Sequence, residues 1–418
     1  MKQSFFWVRR LIILLLPVAI ALSWFAPPAL ALSEEQKFVA EVWRVVERAY
    51  VDDTFNHQNW WQVRQNLMTQ RLENREQSYT AVQKMLASLD DPFTRLLKPD
   101  QYRSLQTNTS GELTGVGLQI ALDPETGKLR VIAPIAGSPA DRAGIQPADM
   151  ILQIDGISTQ GLSLDEAAER MRGPVGTPVT LTVVRHGSSS SDLKVIRDRI
   201  ALNPVVADLR TQPKPDGSSL KIGYIRLTQF NANATLEVSH AIHRLEKQGA
   251  EAYVLDLRNN PGGLLQAGIE TARLWIDRGT IVYTVNRQGN LGSFEATGQA
   301  LTEDPLVVLV NQGTASASEI LAGALQDSGR ARLIGERTFG KGMIQSLFDL
   351  SDGSGLAVTV AKYETPAHHD INKRGISPDM TVSLDPIANN QIATEADRQY
   401  WSAIQLLTTT DSLLAGAP

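Results

Sequence analysis

The chain has 418 residues, long enough for two or three domains with a sizeable core. Its composition is that of an ordinary globular protein, 42% hydrophobic and 20% charged, and its net charge of −5 without a basic run argues against nucleic-acid binding. There is no cysteine, which excludes thiol catalysis, zinc thiolate sites and disulfides.

Lys2, Arg9 and Arg10 precede an apolar run over residues 11–25, and Ala29-x-Ala31 offers a small-residue cleavage site before Leu32. Residues 1–31 are therefore expected to be a signal peptide, since about 15 apolar residues fall short of the ~20 that span a bilayer. A retained anchor is the alternative. Arg9-Arg10 lacks the rest of a twin-arginine signature, so the export route stays open. Without this segment 37 basic residues face 45 acidic ones, a charge of −8.

Residues 32–107 show helical periodicity. A Ser33-x-x-Gln36 capping box opens a helix with Phe38, Val42, Val45, Val46 and Ala49 on one face. A second helix fits SYTAVQKMLASL and stops at the Asp90–Pro92 turn. Nothing here has catalytic or metal-site spacing, so the region reads as a packing module.

Residues 108–199 change to short strands and glycines. Strands fit GVGLQIAL, LRVIAPI, DMILQIDG and TPVTLTVVRHG, a helix follows the Ser163-x-x-Glu166 capping box and ends at Gly173, and the SSSS run reads as an exposed loop. This pattern, with Gly115-Val116-Gly117-Leu118 before a strand, resembles a PDZ domain of the bacterial protease type. Gly115, Val116, Gly117 and Leu118 would then present backbone N–H groups to a C-terminal carboxylate, with the strand edge pairing to the peptide.

From residue 200 to 390 near-continuous apolar strands such as AYVLDLR and LVVLVN alternate with helices, which argues for an α/β core around a buried sheet. Residues 391–418 carry a last helix.

Three stretches of this core suggest chemistry. NQGTASASEILAGALQD places Ser316 and Ser318 at a strand-to-helix junction, without a Gly-x-Ser-x-Gly elbow and with no histidine within 50 residues of Ser316. His368 and His369, with Asp370, are the one histidine group that could serve a serine, though paired histidines in a polar loop are ordinarily just solvated. Lys341 stands between two glycines in GERTFGKGMIQS. An ordinary lysine is almost wholly protonated at neutral pH, but burial lowers its pKa enough to make it a general base. Taken alone, it reads more readily as a surface lysine in a glycine turn. Gly335-x-x-x-x-Gly340-Lys341 imitates a P-loop, but Gly342 stands where Ser or Thr is required and a strand pattern follows. Finally, RNNPGGLLQ leads from a strand into a helix, where glycine N–H groups can approach an oxyanion.

NNPGG, NQGTASASEILAGAL and GERTFGKGMIQ, in that order after a PDZ pattern, closely resemble the carboxyl-terminal processing peptidases, or tail-specific proteases. The resemblance covers about residues 33–385 and implies a crotonase-like α/β catalytic core joined to the PDZ domain and N-terminal helical module. It also implies a serine endopeptidase that removes C-terminal extensions with a Ser-Lys dyad. The family's nucleophile lies 25 positions before its lysine, which selects Ser316 over Ser318 as partner of Lys341. Its assisting glutamine corresponds to Gln345, and its oxyanion donors fall on Gly262 and Ala317. Arg172-Gly173 resembles a PDZ segment whose arginine contacts that glutamine, giving Arg172 an expected regulatory role.

LDDPFTRLL and SDGSGLAVTVAKYETPAH resemble the photosynthetic branch, which trims a photosystem II reaction-centre precursor. The expected partners are protein substrates with a free C-terminal tail, that precursor among them, met beside a membrane in the thylakoid lumen or periplasm. No metal or organic cofactor is called for. A non-catalytic PDZ adaptor or chaperone is the principal alternative, and an acyl-CoA hydratase of crotonase fold a weaker one.

Overall fold

The computed structural model describes residues 32–409 apart from 124–125, 186–188, 290 and 384–386; the expected signal peptide and His186 lie outside the described residues. The first helix, α1 (Glu34–Ala49), starts with the reciprocal Ser33–Gln36 cap. Its buried residues Phe38, Val42, Trp43 and Val46 pack with α2 (Trp60–Met68) and α3 (Arg75–Ala87). That cluster also takes in Leu350, Leu356 and Val358 from far along the chain. A short strand, β1 (Arg95–Leu97), pairs antiparallel with residues 355–357. The next helix, α4 (Pro99–Ser110), runs through the boundary expected at residue 107.

After β2 (Glu112–Gly115) comes a sheet of β3 (Leu118–Leu122), β4 (Leu129–Pro134), β5 (Met150–Ile154), β6 (Ile157–Ser158), β7 (Pro178–Val184) and β8 (Ser191–Ile196). The strands run in the order β3-β4-β5-β7-β8, with β6 beside β5. The helices α5 (Pro139–Arg142) and α6 (Leu164–Met171) belong to this unit, and β9 (Asp198–Ala201) closes it by pairing with β2. β3 is an outer strand and lies next to α6, leaving an open edge for an added strand. The serine run is not all loop, because Ser191 opens β8. Only Val195 of β8 is buried, so the strand carries little apolar alternation to read.

The remaining core contains β10 (Val205–Pro213), β11 (Ser219–Leu227), α7 (Ala234–Lys247), β12 (Ala252–Asp256) and α8 (Leu265–Arg273). It continues with β13 (Thr280–Asn286), β14 (Leu291–Glu295), β15 (Leu306–Val310), α9 (Ala317–Asp327) and β16 (Arg332–Gly335). It ends with β17 (Met343–Asp349), β18 (Gly355–Glu364), β19 (Met380–Thr381) and α10 (Arg398–Thr409). The central sheet is ordered β10-β11-β12-β15-β16-β19 and is parallel except where β10 meets β11. Every residue of β12 and β15 is buried because both faces are covered. Tyr253, Leu255, Leu306 and Val308 pack toward α7, α8 and α9, whereas Val254, Val307 and Leu309 pack toward Tyr400, Ile404 and Leu407 of α10. β18 belongs to a second, antiparallel sheet with β1, β13, β14 and β17.

Candidate active site

Ser316 sits where β15 has ended and α9 begins, and its backbone is unusual: φ 57°, ψ −118°, a left-handed φ in a residue with a side chain. Such a conformation costs about 1–3 kcal/mol and persists only when its surroundings enforce it. The enforcement is visible. Ser316 N–H donates to Glu319 Oε2 at 2.8 Å, and its carbonyl accepts from Glu319 N–H at 2.8 Å, Ile320 N–H at 3.0 Å and the Tyr363 hydroxyl at 3.0 Å. Ser318 is fully buried and its hydroxyl donates to the Asn260 carbonyl at 3.0 Å, whereas Ser316 is half-buried.

Glu319 joins the two halves of the site. Its side chain is 0% exposed, yet both oxygens are filled. Oε1 accepts from Thr338 Oγ1 at 2.6 Å and Gly340 N–H at 2.7 Å, while Oε2 accepts from Lys341 N–H at 2.9 Å as well as from Ser316 N–H. One buried carboxylate thus ties the serine backbone to that of Lys341. Tyr363, whose hydroxyl is pushed up by burial and by Glu319, hydrogen-bonds the Lys341 carbonyl too. Our sequence reading missed Glu319, although Ser316-x-x-Glu319 has the spacing of a capping box.

Lys341 is half-buried in a loop that leads into β17, a strand, so the helix a P-loop requires is absent there. Burial first, and the Arg95 guanidinium second, hold its ammonium below the ordinary lysine range; Asp91 and Glu319 act the other way. Its Nζ lies 4.9 Å from the centre of the Phe93 ring. Among the described residues no hydrogen bond joins Lys341 Nζ to Ser316 Oγ.

The glycine loop lies against the serine. A Cβ on Gly262 would fall 2.6 Å from the Ala315 carbonyl and 3.0 Å from Ala317 N, and one on Gly263 would fall 2.1 Å from the Phe230 carbonyl. Both positions therefore need glycine. Asn259 and Asn311 exchange hydrogen bonds, Asn259 N–H to Asn311 Oδ1 and Asn311 Nδ2 to Asn259 Oδ1, each 2.9 Å. Asn260 donates from Nδ2 to the Leu227 carbonyl at 2.9 Å, and its Oδ1 accepts from Gly262 N–H at 2.9 Å. Gly262 N–H is thus engaged within the loop.

Behind the loop, Arg258 forms a buried double clamp. Nε and Nη2 reach Asp256 at 2.9 and 2.6 Å, and Nη1 and Nη2 reach Asp397 at 2.8 and 2.7 Å. Asp397 immediately precedes α10, so the C-terminal segment braces the strand that feeds the glycine loop.

Gln345 occupies an irregularity in the β17–β18 register, the kind of bulge that re-aims a side chain. Among the described residues its buried Nε2 has no hydrogen-bond partner. Arg172 is elsewhere: it pairs with Glu169 at 3.2 Å, and Glu169 also faces Arg103 of α4 at 3.4 Å. Among the described residues no hydrogen bond joins Arg172 to Gln345 Nε2. Gly115 is paired in β2, and the carbonyls of Val116 and Gly117 accept from Ala140 and Ile135, so Gly115 to Leu118 form the turn at the β3 edge. His368 stacks on Tyr283 at 4.2 Å and bonds Glu364 at 2.9 Å, while His369 lies 3.9 Å from Asp327. Among the described residues neither histidine is hydrogen-bonded to Ser316.

Residues 221–382 match peptidase family S41, and residues 130–185 match a PDZ domain. Over 383 residues the chain is 61% identical to the carboxyl-terminal-processing protease of Synechocystis sp., covering 91% of this chain and 89% of that one. It is 47% identical over 379 residues to the chloroplastic carboxyl-terminal-processing peptidase 2 of Arabidopsis thaliana, covering 89% and 73%. The solved photosystem II D1 C-terminal processing protease is similar at 44% identity and a TM-score of 0.55, over 84% of this chain and 94% of that chain. The fold and these matches define a PDZ-bearing serine peptidase acting on protein substrates, so the adaptor and hydratase alternatives fall away. The chain belongs to the carboxyl-terminal-processing proteases of family S41.

Proposed function

We propose that Ser316 and Lys341 are the dyad of this peptidase, and the Glu319 clamp is the observation that carries the reading. A carboxylate spent on the backbones of two distant residues makes sense if their side chains must meet. Ser316 Oγ attacks the scissile carbonyl carbon while its proton passes to neutral Lys341 Nζ. N–H groups of Ala317 and Gly262 receive the oxyanion. The C–N bond breaks as Lys341 returns the proton to the leaving amine. Water, deprotonated by Lys341, then releases the acid and restores Ser316.

We infer that this is a resting arrangement. Lys341 Nζ is unbonded to Ser316, Gly262 N–H is held by Asn260, Gln345 Nε2 has no partner and Arg172 rests on Glu169. Substrate binding must release these. A C-terminal carboxylate seated at Gly115 to Leu118 moves Arg172 from Glu169 toward Gln345, which then orients Lys341. The cyanobacterial and chloroplastic relatives favour a photosystem II reaction-centre precursor as substrate, reached after export to the thylakoid lumen or periplasm. Among the described residues no helix is long and apolar enough to cross a membrane.

The test is incubation with a precursor peptide carrying its C-terminal extension, followed by product mass analysis. A single cut that removes the extension, lost in Ser316→Ala and weakened by amidating the substrate's C-terminus, is expected. Equal cleavage of amidated and free substrate contradicts tail reading.

A further inference from the structure

The N-terminal module, which reads from sequence as packing, sends one turn into the centre of the site. Between α3 and β1, Asp91 Oδ1 accepts from Phe93 N–H at 2.9 Å and Asp91 Oδ2 from Thr94 Oγ1 at 2.6 Å. The same Oδ2 accepts from Thr359 Oγ1 at 2.7 Å, and Thr359 N–H donates to Thr94 Oγ1 at 3.0 Å. Thr94 and Thr359 are 3% and 0% exposed, so the turn is pinned to β18, the strand that also carries Tyr363. Phe93 is thereby set against Lys341, with the ammonium 4.9 Å from the ring centre. Among the described residues that ammonium donates no hydrogen bond and makes no ion pair.

We propose that Phe93 is a positioning residue for the base: its ring seats the Lys341 side chain and shields it from water, so the N-terminal module is part of the catalytic apparatus. The proposal rests on Lys341 being the base. Two effects of the ring oppose each other. Its face attracts an ammonium and favours the protonated form, while its bulk excludes water and disfavours it. Around Nζ stand Arg95 from β1, which disfavours the ammonium, and Asp91 from the turn and Glu319 from α9, which favour it. The Tyr363 hydroxyl is turned to the Lys341 carbonyl. Burial as a whole is the largest influence on the Lys341 ammonium; on this proposal the ring supplies part of that burial, and its shielding then outweighs its attraction.

The experiment compares the full chain with Phe93→Ala and Phe93→Leu by two readouts. One is kcat/KM for a tailed peptide against pH. The other is the pH dependence of Lys341 modification by trinitrobenzenesulfonate, followed by peptide mapping. Phe93→Ala admits water, so both midpoints move up together by about one pH unit and kcat/KM at neutral pH falls about tenfold. Phe93→Leu keeps the apolar bulk without the ring face, so its midpoints stay at or below those of the unaltered protein and the rate recovers. If Phe93→Ala lowers the rate equally at every pH and moves neither midpoint, the proposal is overturned and the dyad stands. If the modification midpoint moves while the rate profile does not, Lys341 is not the base, and the proposal falls with that assignment. Thermal unfolding of Phe93→Ala separates either outcome from loss of fold.

Discussion

The two halves of the site are finished to different degrees. Around the Ser316 backbone, Glu319 fills both carboxylate oxygens, Asn259 and Asn311 bond reciprocally, and Ser318 and Tyr363 each reach a carbonyl. On the other half, Lys341 Nζ faces a ring and Gln345 Nε2 is buried with no partner among the described residues. An unpaired buried donor costs about 1–3 kcal/mol, so leaving one at the proposed active site is a feature to be explained. On the proposed assignment, the difference means that the nucleophile is set in advance while the base awaits a partner that substrate would bring.

The comparison breaks first, and with the largest effect, at the dyad itself. Ser316→Ala and Lys341→Ala should each lower turnover by about 10,000-fold or more, and the double variant should be little worse, because the pair acts as one unit. Lys341→Arg should be equally inactive, since guanidinium does not deprotonate. Unfolding curves should separate this loss from damage. The folded pKa of Lys341 lies below its unfolded value, so the lysine penalises folding fully below the folded pKa, and the penalty vanishes as pH rises through the unfolded one. Lys341→Met should therefore be no less stable than the unaltered chain at neutral pH, a result that urea titration checks.

Glu319→Ala should do what Lys341→Met does not. Removing the carboxylate strands the donors of Ser316, Thr338, Gly340 and Lys341, so a loss of about 3 kcal/mol or more in urea unfolding should accompany the loss of turnover. Full stability in this variant would deny the clamp.

Asp397→Ala tests the brace behind the glycine loop. It leaves Arg258 buried with only Asp256 and the neutral Gln399 as side-chain partners, at a cost of about 3 kcal/mol. Burial alone would raise the Asp397 pKa, but the hydrogen bonds and charge of Arg258 outweigh it and the net shift is downward. Its stabilisation is accordingly present above the unfolded carboxylate pKa and lost as pH falls through the folded one. Thermal unfolding of Asp397→Ala should thus lose the part of the acid dependence that Asp397 supplies.

The smallest effect is expected at Arg172. An exposed pair with Glu169 contributes little stability, so Arg172→Ala should unfold like the parent while turnover of tailed substrates falls roughly three- to tenfold. Unchanged turnover would leave the PDZ groove as a tether only.

What could be read in advance follows the same division. Strands β12 and β15, the α9 helix and the glycine loop are local signals, because apolar runs, caps and glycines carry their reasons within a few residues. Ser316, Lys341 and Gln345 were singled out by spacing and resemblance, and their roles are those proposed above. Glu319 carried a local signature that was passed over. Phe93 and Asp397 could not be found this way, since each matters only because folding brings it to a residue more than 130 positions distant. The edge strand β10 and the polar β8 escaped because neither carries an apolar run: no residue of β10 and only Val195 of β8 is fully buried.

The central claim, that a neutral Lys341 takes the Ser316 proton, is tested most directly by the rate at which a serine-acylating probe labels Ser316 as pH is varied. The rate should rise with pH through a single ionisation below the ordinary lysine value, and labelling should disappear in Lys341→Ala at every pH up to the alkaline limit of the fold. A rate independent of pH, or labelling of Ser316 that survives in Lys341→Ala, would contradict it.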